Sequence, residues 1–141
     1  MKQVDTETLT VMLKYFDYNS FGITAEISGR LVGRVNGFRK NIAKICVLGI
    51  DVFDENDRRR GIASTMMNYL LEHLGDCDIV VESPNRTARL ALARIGFDDG
   101  EYRAGSNSGN ESRNWGKIPE PKVYQIPQIV KESRQNISEI R

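Results

Sequence analysis

Arg58-Arg59-Arg60-Gly61-Ile62-Ala63-Ser64 is the stretch of this chain whose residue types suit chemistry on an anion. It lies between an apolar run and a helical pattern. A helix start offers several unpaired N–H groups and roughly half a positive charge, which together bind anions. Gly61 lets a phosphate approach the backbone because no Cβ intervenes. The arginines Arg58, Arg59 and Arg60 add charge-assisted contacts. The same residues also fit a plain solvated turn ahead of a helix. There is no GxxxxGK[ST] loop, and no GxGxxG follows the strand, so neither a P-loop nor a dinucleotide fingerprint is present.

The elements that must hold this stretch are legible around it. Residues 42–53 are almost continuously apolar, as expected of a central strand covered on both faces. From Arg59 to Leu74 the period becomes helical, with Ile62, Met66, Tyr69, Leu70 and His73 or Leu74 on one stripe and Gly75 as the stop. Cys77 to Glu82 reads as a short buried strand. Ser83-Pro84-Asn85 then caps a second helix running to about Ile95, ended by Gly96. Upstream, Thr8–Tyr18 and Phe21–Ile27 alternate as strands, and Leu31–Val35 returns across the turn Ser28-Gly29-Arg30. Residues 123–126 supply a last strand. Strand–helix–strand–helix in the middle of the chain predicts an α/β fold with a locally parallel strand pair and six or so strands.

The 141 residues suffice for one domain, expected over 1–127, with 128–141 a polar tail, helical or flexible; Ala104 to Gly116 reads as a long mobile loop. The net charge of +1 argues against a general attraction to nucleic acid or anionic membranes. Nucleic-acid binding through Arg58, Arg59, Arg60, Arg86, Arg89 and Arg94 is further disfavoured by the lack of interleaved aromatics. Cys46 and Cys77 lack metal or redox spacing and read as reduced core residues; no metal site is expected. With no signal-peptide pattern and no run near the ~20 apolar residues a bilayer needs, the expected location is cytoplasmic.

Three motifs in order, over roughly residues 20–98, resemble the GNAT (N-acetyltransferase) superfamily. Arg58, Gly61 and Ala63 match its Arg/Gln-x-x-Gly-x-Gly/Ala loop. Residues 28–33 look like its hairpin turn, and Asn85, Ala88, Gly96 and Phe97 like its "NxxA…GF" helix. The resemblance implies a mixed, mostly antiparallel sheet with a splayed parallel pair. It also implies acetyl-CoA as co-substrate, its pyrophosphate held by backbone amides from Arg59 through Arg60, Gly61, Ile62 and Ala63 to Ser64. Main-chain groups of Ile50 to Val52 would meet the pantetheine arm, with Asn85 nearby. The family places helices between its first two strands; only about Asn19-Ser20 separates them here, so those first helices are expected to be absent. That opening suits a large acceptor such as a protein tail, and equally a homodimer partner.

Amine acetylation needs a neutral nucleophile, whereas a lysine amine with pKa of about 10.4 is almost wholly protonated at neutral pH. The resemblance implies a tyrosine acid seven residues after Asn85, but this chain has Leu92 there, and Val80 where the family often has a glutamate. The replacements are Asp51, which interrupts an apolar strand, Glu82 at the end of the next strand, and Tyr124, with Tyr102 behind them. The plainer readings are a solvated strand end for Asp51, which its position favours, and a helix-dipole partner for Glu82. Acids Asp98, Asp99 and Glu101 would attract a cationic acceptor, or simply decorate a turn. Two functions follow: an acetyltransferase acting on an amine by direct attack, or a CoA-binding module with little catalysis, which Leu92 favours.

Overall fold

Alternation of apolar side chains builds the first half of the fold in the computed structural model, which describes residues 6–82, 84–104 and 114–128. In β1 (Thr6–Tyr15), Leu9, Val11 and Leu13 are buried while Thr8 and Lys14 are exposed. β2 (Ser20–Ile27) pairs with it antiparallel, from Leu9 opposite Ile27 to Tyr15 opposite Phe21. The link is short: Asp17 Oδ1 accepts from the N–H groups of Asn19 and Ser20, each at 2.9 Å, and closes a turn where helices were expected to be missing.

β3 (Arg30–Asn41) is longer than the sequence pattern suggested, because its second half stays paired to β2 and to β4 (Lys44–Val52) after its own alternation fades. β5 (Asp78–Val81) runs parallel to β4, and the two-residue β6 (Glu101–Tyr102) covers part of its outer edge. β7 (Lys122–Pro127) returns to pair antiparallel with β1. The sheet order is β6-β5-β4-β3-β2-β1-β7, and β4/β5 is its parallel pair.

Helix α1 (Ile62–Leu74) makes the β4-to-β5 crossover and lays Ile62, Met66, Met67, Tyr69, Leu70 and Leu74 on the sheet. Each such side chain contributes about 1.5–3 kcal/mol by leaving water. Glycines set how closely the layers meet. A Cβ on Gly33 would stand 2.9 Å from Met66 Cε and 3.2 Å from Ile62 Cγ2. On Gly37 it would stand 2.2 Å from the Cys46 carbonyl oxygen. Backbone cannot yield there as a side chain can, so Gly37→Ala should cost about 3 kcal/mol in urea unfolding. An unchanged midpoint would show that the β3–β4 ladder has slack.

α2 (Arg86–Ala93) packs beside α1 on the same face. The opposite face carries the alternate residues, including Thr10, Met12 and Lys14 of β1, Thr24 of β2, Arg34 and Asn36 of β3, and Gly49 and Asp51 of β4. No helix among the described residues covers them. The expectation of a doubly covered central strand therefore fails for residues 48–52, where Leu48 and Asp51 are exposed. The helices begin and end inside the predicted limits: Arg59–Gly61 precede α1, and α2 stops two residues short of Ile95.

Trp115, within the stretch read as a mobile loop, is anchored. Its ring meets Tyr15 at 4.8 Å and Phe21 at 6.0 Å, and its Nε1 donates to the Tyr18 carbonyl at 2.7 Å. Residues 105–113 of that loop and 129–141 of the tail lie outside the described residues. Cys46 and Cys77 are both buried and form no disulfide with each other, and the Cys77 thiol donates to the Ile42 carbonyl at 3.6 Å. No helix among the described residues is long and apolar enough to cross a membrane.

Candidate functional site

The loop from Asp54 to Gly61 is shaped by its own polar residues. Asp54 Oδ1 caps a single 3-10 turn, Glu55–Asp57, by accepting from the Asn56 N–H at 2.9 Å. Two residues then take left-handed backbone, Arg59 at φ 66° and Gly61 at φ 80°. That conformation favours glycine and costs other residues roughly 1–2 kcal/mol. Something must hold Arg59 in it.

A buried ion cluster on either side of Arg59 does so. Asp57, 1% exposed, accepts from Arg60 through Oδ1 at 2.8 Å and from Arg30 through Oδ2 at 2.9 Å. Arg60 also donates to Glu7 Oε1 of β1, and through Nε to the Pro127 carbonyl of β7 at 2.7 Å. The Arg30 guanidinium, followed by that of Arg60, holds the Asp57 carboxyl below the usual carboxylate range despite its burial. This corrects the reading of Arg60: its side chain is spent inside the protein and cannot contact a phosphate. Arg58 and Arg59 remain exposed and form no ion pair among the described residues.

Gly61 is the N-cap of α1 and supplies no side-chain cap, so the leading N–H groups of Ile62, Ala63 and Ser64 lack a capping partner from it. A Cβ built on Gly61 meets nothing within 4 Å. The space over the helix start is open, and donors face it.

The second part of the site is a fork. The β4/β5 ladder ends at Val47 opposite Val81, with one more bond from the Glu82 N–H to the Val47 carbonyl at 2.9 Å. β4 continues for five residues, Leu48–Val52, paired to β3 alone. Gly37 pairs with Val47 but Asn36 pairs with Gly49, so Leu48 is the extra residue of a β-bulge at the fork. Past it, the β4 edge facing β5 carries main-chain groups without strand partners. A small cavity adjoins this edge, lined by Ile50, Ala63, Ser64, Met67, Ala88, Ala91 and Leu92. Four of these residues are alanine or serine, which keeps the gap between α1 and α2 narrow and open.

The structure thus brings Ile50, Ala63 and Ser64 into one cavity, with the uncapped amides at one end and Glu82 at the fork. Val52 lies further along the unpaired edge. Asn85 is the N-cap of α2: its Oδ1 accepts from the Ala88 N–H at 2.8 Å, so that oxygen is committed to the helix. Asp51 and Glu82 are both exposed. Leu92 is buried in the cavity wall. Tyr124 does not join the group, since β3, β2 and β1 lie between its strand and β4. Burial pushes its phenol up, which makes it no base. Tyr102 packs its ring against Phe97 at 5.5 Å. His73 meets the Tyr69 ring edge-on at 4.5 Å at the far end of α1. Among the described residues no cluster of His, Cys, Asp or Glu is arranged for a metal.

An open helix start beside a bulged, forked parallel pair in a mostly antiparallel sheet defines a GNAT-like α/β fold. The chain matches the acetyltransferase (GNAT) family over residues 2–97 and belongs to that family. No curated protein matches it. Among solved structures it is similar to Arabidopsis thaliana Naa50 in complex with the bisubstrate analogue CoA-Ac-MVNAL, at 20% identity and a TM-score of 0.47. That alignment covers 55% of this chain and 56% of the other, so this chain spans about half of that protein.

Sequence reasoning missed Asp57, Arg30 and Glu7 as the supports of the loop, and Asn36 beside the fork. Asp57 and Arg60 are near neighbours, but Arg30 and Glu7 lie 27 and 53 residues from their partners, beyond any local pattern.

Proposed function

We propose that the protein transfers an acetyl group from acetyl-CoA to an amine. The observation that supports this best is one continuous feature: the start of α1 has no side-chain cap, and its Ala63 and Ser64 line the cavity that borders the unpaired edge of β4. The residues fit the co-substrate. Backbone amides from Arg59 to Ser64, with the exposed Arg58 and Arg59 side chains, would hold a pyrophosphate. The β4 edge at Ile50 to Val52 would bond a pantetheine amide. Acetyl-CoA supplies an activated thioester carbonyl. Attack by the amine forms the N–C bond, the C–S bond breaks, and the thiolate leaves. The amine must shed a proton, and Asp51 and Glu82, exposed carboxylates on either strand of the fork, would take it directly or through water. Asn85 serves by fixing the start of α2, which forms one cavity wall.

A second reading, a CoA-binding module with little turnover, is favoured by Leu92. It is an apolar residue in the cavity wall and cannot protonate a leaving thiolate. Calorimetric titration with acetyl-CoA, with ATP and NAD as controls, should give saturable binding for acetyl-CoA alone. Free-thiol release with a mixed panel of amines should then fall at least tenfold in Asp51→Asn or Glu82→Gln. Binding without turnover across the panel would select the module, and no binding would overturn both readings.

A further inference from the structure

On the face of the sheet without helices, two side-chain oxygens converge over the bulge. The position of a Cβ on Gly49 lies 2.8 Å from Asn36 Oδ1 and 3.6 Å from Asp51 Oδ2. Asn36 pairs with Gly49 across β3 and β4, and Asp51 follows two residues later on the same face. The missing side chain at Gly49 is what admits both groups. Neither makes a side-chain hydrogen bond or ion pair to another described residue, although most polar groups placed together in a protein satisfy one another. Arg34, opposite Asp51 on this face, forms no ion pair with it among the described residues either. The three groups sit one to four residues past the last β4/β5 rung, on the side of the sheet away from α1 and α2.

Resting on the acetyl-transfer reading, we infer that Asn36 and Asp51 form the subsite that receives the acceptor's primary ammonium, with Arg34 taking an oxygen beside it. The chemistry follows from the atoms. Both converging groups are oxygen acceptors, and an ammonium offers three donors. Asp51 supplies the countercharge and Asn36 the neutral second bond that fixes direction. Arg34 opposes a bare cation next to Asp51, so it favours an amine whose adjacent carbon carries a carbonyl oxygen, which a guanidinium can bind. Asn36 acts as a positioning residue, since it has no proton to exchange in this range.

Alaninamide and lactamide test this directly, because they differ only in an ammonium against a hydroxyl. Each is titrated into the protein while the Asn36 side-chain amide and the Gly49 backbone amide are followed by NMR, with and without acetyl-CoA. Alaninamide should shift both signals saturably and lactamide should not. Asn36→Ala and Asp51→Asn should each weaken alaninamide binding at least fivefold, Arg34→Gln less, and Glu55→Gln not at all. Acetyl-CoA affinity should stay the same in Asn36→Ala, Arg34→Gln and Glu55→Gln. Equal responses to the two probes, or Asn36→Ala binding alaninamide as the parent does, would overturn the subsite. If alaninamide binds as expected but acetyl-CoA does not, the amine site stands and the transfer reading is the one that fails.

Discussion

Gly61→Asp should lose acetyl-CoA affinity by about 100-fold, equivalent to roughly 2.7 kcal/mol, while the protein stays folded. The added carboxylate would project into the open space over the α1 start and meet the pyrophosphate with like charge. Backbone strain complicates the reading, because Gly61 has φ 80° and any Cβ there carries a cost. Asn tolerates left-handed backbone better than other residues, so Gly61→Asn separates the two effects. It should cost only about 1 kcal/mol of stability and about tenfold in affinity. Calorimetry on both variants, with circular dichroism to confirm folding, decides the matter. A folded Gly61→Asp that binds as tightly as the parent would remove the phosphate site from the α1 start.

Asp57→Asn should be the most destabilising polar substitution in the loop, by about 3 kcal/mol at neutral pH. The carboxylate holds two guanidiniums, and the side chain of Arg60 is only 5% exposed. Removing one member of a buried ion cluster leaves a charge without its partner in poor solvent. The Arg30 contact contributes less, since that side chain is 53% exposed and screened by salt. The pH dependence has a definite sign. The Asp57 carboxyl is held below its unfolded value near 3.8, so its stabilisation is complete above that pH. It is lost as pH falls through the lower folded value. Urea unfolding at pH 7 and pH 3 should therefore show a large gap between parent and variant that narrows in acid. A gap of the same size at both would mean that the loss comes from packing and not from the charge.

Much of the fold could be read in the chain because its signals are local. Strict alternation in Phe21–Ile27 and the 3.6 period of Ile62–Leu74 each arise from one element meeting one face. The candidate anion loop was legible for the same reason: Arg58, Gly61 and Ala63 are close in sequence. What stayed hidden depends on pairing across distance. Nothing near Leu48 announces a bulge, which exists only because Asn36 pairs with Gly49 and Gly37 with Val47. Arg60 looked like Arg58 and Arg59, and only the approach of Glu7 and Pro127 turns it inward. Tyr124 looked available until the strand order placed it at the other edge of the sheet. The long apolar run of β4 suggested double cover, yet the paired β4/β5 ladder ends at Val47, and beyond it Leu48 and Asp51 are exposed.

The guanidinium of Arg60 joins two places that are far apart along the chain, the loop before α1 and the carbonyl of Pro127 at the end of the last strand. Free energy of that kind is shared in both directions: whatever steadies the loop also resists peeling of β7 from β1, and whatever frees β7 loosens the loop. The edge strand β7 is thus energetically coupled to the loop proposed to hold the ligand. Its seating acts as a remote tension on a turn whose left-handed Arg59 would otherwise relax.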